Sequence, residues 1–251
     1  MRNIKLTIEY DGSRYDGWQQ GPKYGSDRTI KDKIENVLGL MENEKITLTG
    51  AVRTEPGVHA YAQIANFNTK SDMKTWQIMQ YLNRYLPQDI AVTDVEEVEA
   101  GFNSLAGINS ITYEYKISVA DVPNVFERKY NYYCFDKLDT AKMKKAASNF
   151  LGKHDFKAFS DNPRMKKSTV RTIYNLDVYS GMDEILITIK ADDFWPKMAR
   201  IIVGTLIEVG RGNIDSCDIS GIIESGDRQK AGPDAEAKGL FLSEIELKKR
   251  Q

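Results

Sequence analysis

The chain opens with alternating apolar and polar residues. Ile4, Leu6, Ile8 and Tyr10 are separated by Lys5, Thr7 and Glu9, the period of a strand with one buried face. Asp11-Gly12-Ser13 ends the run with turn chemistry. The period then lengthens: Ile30, Ile34, Val37 and Leu38 predict a helix over residues 28–40, with Gly39 at its end. Thr47-Leu48-Thr49 and residues 60–69 read as two strands around a polar loop. A second helix, about 73–85, carries Trp76, Met79, Tyr81 and Leu82 and is broken by Pro87 and Asp89, and a strand runs from Ile90 to Val98.

The second half repeats this order. Ile111, Tyr113, Tyr115, Ile117 and Val119 share one strand face, and Thr112, Glu114, Lys116 and Ser118 share the other. A helix near 139–151 ends at Gly152. Strands at 170–179 and 184–191 flank the turn Ser180-Gly181-Met182-Asp183. A helix over 195–210, with Pro196 near its start, is apolar nearly all round, and Leu240 to Leu247 forms a closing strand. The order strand-helix-strand-strand-helix-strand occurs about twice. It predicts an α+β protein of two ferredoxin-like α/β-sandwich halves, residues 1–105 and 106–251. The acids Asp89, Asp94, Glu96, Glu97 and Glu99 near the boundary read as a solvated edge.

Composition narrows the class. A length of 251 residues suits one large domain or two fused ones, and 41% apolar with 28% charged residues permits a real core. No apolar run approaches the roughly 20 residues that span a membrane. The alternating start is not a signal peptide. Two cysteines, Cys134 and Cys217, exclude a disulfide framework, and two histidines, His59 and His154, exclude a His-rich metal site. A reduced, cytoplasmic protein is expected. With 35 basic against 36 acidic residues, any nucleic-acid surface must be local, because phosphate contacts need cations. The stretch 153–171 is the candidate. Lys153, Lys157, Arg164, Lys166, Lys167 and Arg171 outnumber Asp155 and Asp161, and Phe156 and Phe159 stand among them. A solvated charged loop is the plainer alternative.

Three segments carry candidate chemistry. Gly50 to Ala60 (Gly-Ala-Val-Arg-Thr-Glu-Pro-Gly-Val-His-Ala) joins two strands. It is either a plain hairpin loop or a functional one: Arg53, Glu55 and His59 together make an expensive connector, and Pro56 and Gly57 fix its path, as a loop presenting a carboxylate requires. Arg200 opens the apolar run Ile201–Gly210. A buried guanidinium there needs an acid, unless it snorkels to the surface. Tyr113 lies on an apolar strand face, either as core or as a ring for a planar substrate.

At these residues the chain resembles the TruA-type tRNA pseudouridine synthases. The matching pieces run nearly end to end: Tyr10-Asp11-Gly12-Ser13 with Gly17-Trp18-Gln19; Arg53-Thr54-Glu55-Pro56-Gly57-Val58-His59-Ala60; Leu82-Asn83, Leu86-Pro87 and Asp89-Ile90. Thr112-Tyr113-Glu114-Tyr115, His154-Asp155-Phe156, Val170-Arg171-Thr172-Ile173, Met198 to Leu206, Ala231-Gly232-Pro233 and Lys238 to Leu242 follow in order. The resemblance implies a pseudouridine synthase fold with a central antiparallel sheet. It implies isomerisation of uridine to pseudouridine in the tRNA anticodon stem-loop, without cofactor or metal, by a cytoplasmic homodimer. Carried over, the catalytic residues are Glu55, whose carboxylate attacks the nucleoside, Tyr113, whose ring packs on the base, and Arg200, which pairs with the carboxylate. The substrate-binding set is Arg53, His59, Lys166, Lys167, Arg171 and Leu240. Where the family carries Asp, this chain carries Glu55, followed by Pro56 where Ala is usual; a paralogue that binds RNA without turnover is the alternative reading.

Overall fold

The N-terminal alternation becomes β1 (Arg2–Tyr10), with Ile4, Leu6 and Ile8 fully buried. The computed structural model describes residues 1–20, 28–161 and 168–248. After β1 come α1 (Ile30–Glu42), β2 (Thr49–Gly50), β3 (His59–Thr69), α2 (Thr75–Tyr85) and β4 (Ile90–Val98). The Thr29 hydroxyl caps α1 by accepting from Asp32 N–H. Gly39 does not end this helix. It continues to Glu42, and Asn43 takes the left-handed C-terminal position at φ 54°. α2 stops before Pro87, whose ring disfavours a helical residue ahead of it.

Contacts divide the chain into two units: Met1–Asn109 with the chain from Phe241 onward, and Ser110–Leu240. In the first unit β1 lies between β4 and β3, antiparallel to both, and β2 pairs with β3, giving the order β4-β1-β3-β2. That is the ferredoxin-like order expected of a strand-helix-strand-strand-helix-strand chain. The buried faces of α1 (Ile30, Ile34, Val37, Leu38) and α2 (Ile78, Leu82) complete the core.

The second unit runs β5 (Ile108–Ser118), β6 (Tyr132–Tyr133), α3 (Thr140–Ser148), β7 (Gly152–Asp155), β8 (Val170–Ser180), β9 (Glu184–Ala191), α4 (Met198–Arg211) and α5 (Ile219–Ser225). β5's first two residues precede the division. The antiparallel order is β5-β9-β8-β7, and β6 adds to β5 in parallel. α4 is buried along most of its length, as its all-round apolar sequence predicts. It begins at Met198, so Pro196 precedes the helix, and Lys197 stands before it at φ 64°.

The last strand, β10 (Leu240–Leu247), departs from the expected division. From Phe241 it belongs to the first unit, where Phe241 and Leu242 pair in parallel with His59 and Ala60. A free edge of β3 accepts it, because β2 is only two residues long and covers β3 elsewhere, at Ala65 and Asn66. Among the described residues, no helix is long and apolar enough to cross a membrane.

Candidate active site

The Arg53–Glu55 loop is built from its neighbours inward. Ala51 N–H donates to Ile64 O at 2.8 Å, and the Gln63 amide holds both backbone groups of Val52, donating to its O at 2.7 Å and accepting from its N–H at 3.2 Å. Thr54 is buried. Its carbonyl accepts from Trp18 N–H at 3.1 Å, and its hydroxyl bonds the Tyr10 hydroxyl at 2.7 Å. Burial pushes the Tyr10 phenol well above its usual range, so it stays neutral. Val58 N–H closes the turn onto Glu55 O at 3.1 Å, with Gly57 at φ 79°.

Two glycines on the supporting segment are dictated by this closeness. A Cβ on Gly12 would stand 2.0 Å from Val58 O; one on Gly17, which is at φ 85°, would stand 2.5 Å from Thr54 O. The support is anchored in turn. Asp11 N–H donates to Asp89 O at 3.0 Å, and the Asp89 carboxylate takes Arg14 and the Tyr15 hydroxyl. Asn83 bonds both backbone groups of Val92, each at 2.8 Å, and ties α2 to β4. The Tyr-Asp-Gly-Ser, Gly-Trp and Leu-Pro-x-Asp pieces are thus a frame for one loop. The frame leaves Arg53 exposed and Glu55 half-buried at its tip.

His59 serves the frame. It is 1% exposed, stacks on Phe241 with centroids 4.6 Å apart, and Nδ1 accepts from Gly12 N–H at 3.1 Å. The same atom lies 3.3 Å from the Asp11 carboxylate.

In the second unit, Tyr113 on β5 is 6% exposed and meets the edge of Phe194 at 5.0 Å. Arg200, on the first turn of α4, donates to Ala235 O at 2.7 Å and to the Asp234 carboxylate at 2.8 Å. The backbone joins in, as Ala235 N–H donates to Arg200 O at 3.0 Å. Gly204 makes the approach possible: a Cβ there would stand 1.8 Å from Pro233 O. Lys197 bonds Asp161 and lies 3.5 Å from Asp234, and Arg228 lies 3.9 Å from Asp161. Asp161 holds the Lys197 ammonium above its usual pKa, and the same bond holds the Asp161 carboxyl below its own. Asp234 and this ion network had no signature in the sequence beyond Asp234 following Ala231-Gly232-Pro233.

Arg171 is pinned on β8. Its guanidinium lies over the Trp195 ring at 4.2 Å and donates to Asp193 at 3.2 Å and to the carbonyls of Val170 and Ser168. Leu240 is 3% exposed. Lys166 and Lys167 lie outside the described residues, as does Arg164. The first unit presents a half-buried carboxylate, Glu55, on a braced loop. The second holds a buried phenol, Tyr113, and a guanidinium, Arg200, fixed by a carboxylate and a carbonyl.

Comparison with known proteins gives these parts a context. A family model described as tRNA pseudouridine synthase matches residues 146–247. A second, described as an uncharacterized protein conserved in bacteria, matches residues 43–193. A tRNA pseudouridine synthase A 2 from Bacillus cereus is 42% identical over 247 residues, covering 98% of this chain and 100% of the relative. Proteins from Clostridium perfringens (tRNA pseudouridine synthase A 2) and Acetivibrio thermocellus (tRNA pseudouridine synthase A) are each 42% identical over 98% of this chain and 99% of their own. A crystal structure of an archaeal box H/ACA sRNP Nop10-Cbf5 complex overlaps at 11% identity and TM-score 0.33, covering 81% of this chain and 53% of the other, too loosely to argue from. Identity of this order over nearly the whole length of both chains is decisive, and the chain belongs to the tRNA pseudouridine synthase A family.

Proposed function

We propose that this protein isomerises uridine to pseudouridine in the anticodon stem-loop of tRNA, acting in the cytoplasm as a homodimer. The observation that carries the reading is the end-to-end identity with proteins named as tRNA pseudouridine synthases, reinforced by a loop whose bracing ends in a half-buried carboxylate. The same identity favours turnover over a silent RNA-binding paralogue.

In this reading Glu55 is the nucleophile and adds to the target nucleoside, at the base or at the ribose carbon. The N1–C1′ bond breaks, the uracil turns, and C5 bonds to C1′. The C5 proton passes to solvent, N1 takes one up, and the carboxylate is released unchanged. A base inside a stem must first be extruded, at a cost of a few kcal/mol, and stacking on an aromatic ring recovers part of that. Tyr113 supplies the ring. Arg200, itself fixed by Asp234 and Ala235, supplies positive charge for the carboxylate. Arg53, exposed beside Glu55, takes phosphate, with Lys166 and Lys167. His59, Arg171 and Leu240, all buried or pinned, act by shaping the surfaces that receive the RNA.

The test is tritium release from C5-labelled uridine in unmodified tRNA. Wild-type protein releases tritium; Glu55→Gln, which keeps the shape and removes the charge, loses on the order of a thousandfold or more of that rate. Glu55→Asp withdraws the carboxylate by about 1.5 Å, and a fall of roughly a hundredfold or more is expected from misplacement. Full activity of Glu55→Gln would remove Glu55 from the chemistry.

A further inference from the structure

α2 wears its aromatic residues on the outside. Trp76 and Tyr85 are each 53% exposed, although such rings are usually well buried. Tyr81 lies against Tyr85 with centroids 4.6 Å apart, and the Arg84 guanidinium stands 5.7 Å from the Tyr85 ring centre. With Met73 and Gln80 these side chains line an open groove of about 500 Å³, within the usual size of a small-molecule site. Positions 73, 76, 80–81 and 84–85 recur at helical spacing and form one stripe. The core face of the same helix is made by Ile78 and Leu82, both fully buried.

The charge of this stripe has one sign. α2 contains no Asp or Glu, in a chain with 36 of them. Exposed Lys74 and Arg84 mark its two ends. Of the nearest acids in sequence, Asp89 binds Arg14 and Tyr15, and exposed Asp72 stands ahead of the helix in the field of Arg2. Aromatic faces, an arginine stacked on one of them, amides, and no carboxylate are what a single-stranded nucleic acid selects. The helix of 11 residues is about 16 Å long, the rise of roughly five nucleotides stacked at about 3.4 Å each. Its C-terminal end leads to Asp89, whose backbone holds the segment bracing the Glu55 loop.

We infer that the outer face of α2 is a second RNA contact, taking unpaired nucleotides by stacking on Trp76, Tyr81 and Tyr85, with Lys74 and Arg84 at the phosphates. It extends the proposed function and rests on RNA being the substrate. The site steers RNA that flanks the target nucleoside toward the loop.

The test uses the full chain, unmodified tRNA as the probe, and two variants, Trp76→Ala/Tyr85→Ala and Arg84→Glu. Both rings are exposed, so the variants melt like wild type. Loss of one or two base–aromatic stacks raises the Kd for tRNA by roughly tenfold to a hundredfold, and KM rises with it. Arg84→Glu flattens the salt dependence of log Kd by about one. Unchanged Kd in both variants overturns the inference. So does a drop to a smaller species in sedimentation with RNA affinity intact, which would make the face a protein interface. Wild type that binds tRNA but releases no tritium defeats the synthase reading alone, and Kd still judges the stripe. Wild type that binds no tRNA defeats both.

Discussion

Gly17→Ala tests whether the loop must be held where it is. Gly17 sits at φ 85°, a conformation that costs an L-residue with a Cβ about 1–2 kcal/mol. The new methyl would also meet Thr54 O at 2.5 Å, where real Cβ contacts stay beyond 3.0 Å. One side must therefore give by at least 0.5 Å (3.0 minus 2.5). Trp18, next in the chain, is fully buried, and its N–H bonds that same carbonyl at 3.1 Å. The easier movement is that of Thr54, and Glu55 goes with it. Since a misplacement of about 1 Å costs on the order of 100-fold in rate, half of that predicts roughly a tenfold fall in kcat. The stability loss is expected at about 2–3 kcal/mol, the backbone strain plus the overpacking. Tritium release gives kcat and urea denaturation gives stability. Gly101→Ala, where a Cβ meets nothing within 4 Å, is the control for substitution as such. A Gly17→Ala protein that is destabilised yet turns over at the wild-type rate would refute the claim that the frame positions the carboxylate.

Two further outcomes follow from the second unit. Arg200→Ala removes the bonds to Asp234 and Ala235 and leaves Asp234 without its closest cation. A loss of about 2 kcal/mol in chemical denaturation is expected, below the range for a fully buried pair because Asp234 is partly exposed; a melting curve equal to wild type would show that the contact holds nothing. The Asp161–Lys197 bond gives stability at both ends of the pH range. Asp161 is held below its usual 3.8, so its share is present above that value and is lost as pH falls through the lower folded pKa. Lys197 is held above its usual 10.5, so its share is full below that and is lost as pH rises beyond it. Asp161→Asn should flatten the acid limb of stability below about pH 4, and an unchanged acid limb would remove Asp161 from the account.

The sequence by itself determined the elements whose periodicity is sustained. β1, β5 and β9 alternate over many residues, and α4 is apolar on all sides, so each lies close to where its pattern put it. The sequence also offered Glu55, Tyr113 and Arg200 as candidates, through the resemblance of the segments that carry them to a known family. Short elements were illegible. β6 has two residues and β7 four, too few to show a period, and both exist because a neighbouring strand offers its edge. Only the tertiary structure returned β10 to the first unit, since an alternating strand carries no mark of which edge it will join. The same is true of the partners. Gly12 and Gly17 show in sequence only as turn and motif residues, without the Val58 and Thr54 backbone that is brought against them, and Asp234 becomes the acid for Arg200 only across 34 residues of chain. Periodicity records which face a residue must bury, whereas the contacts that fix a loop or pair a charge are made between segments far apart in the chain, and those are decided when the segments pack.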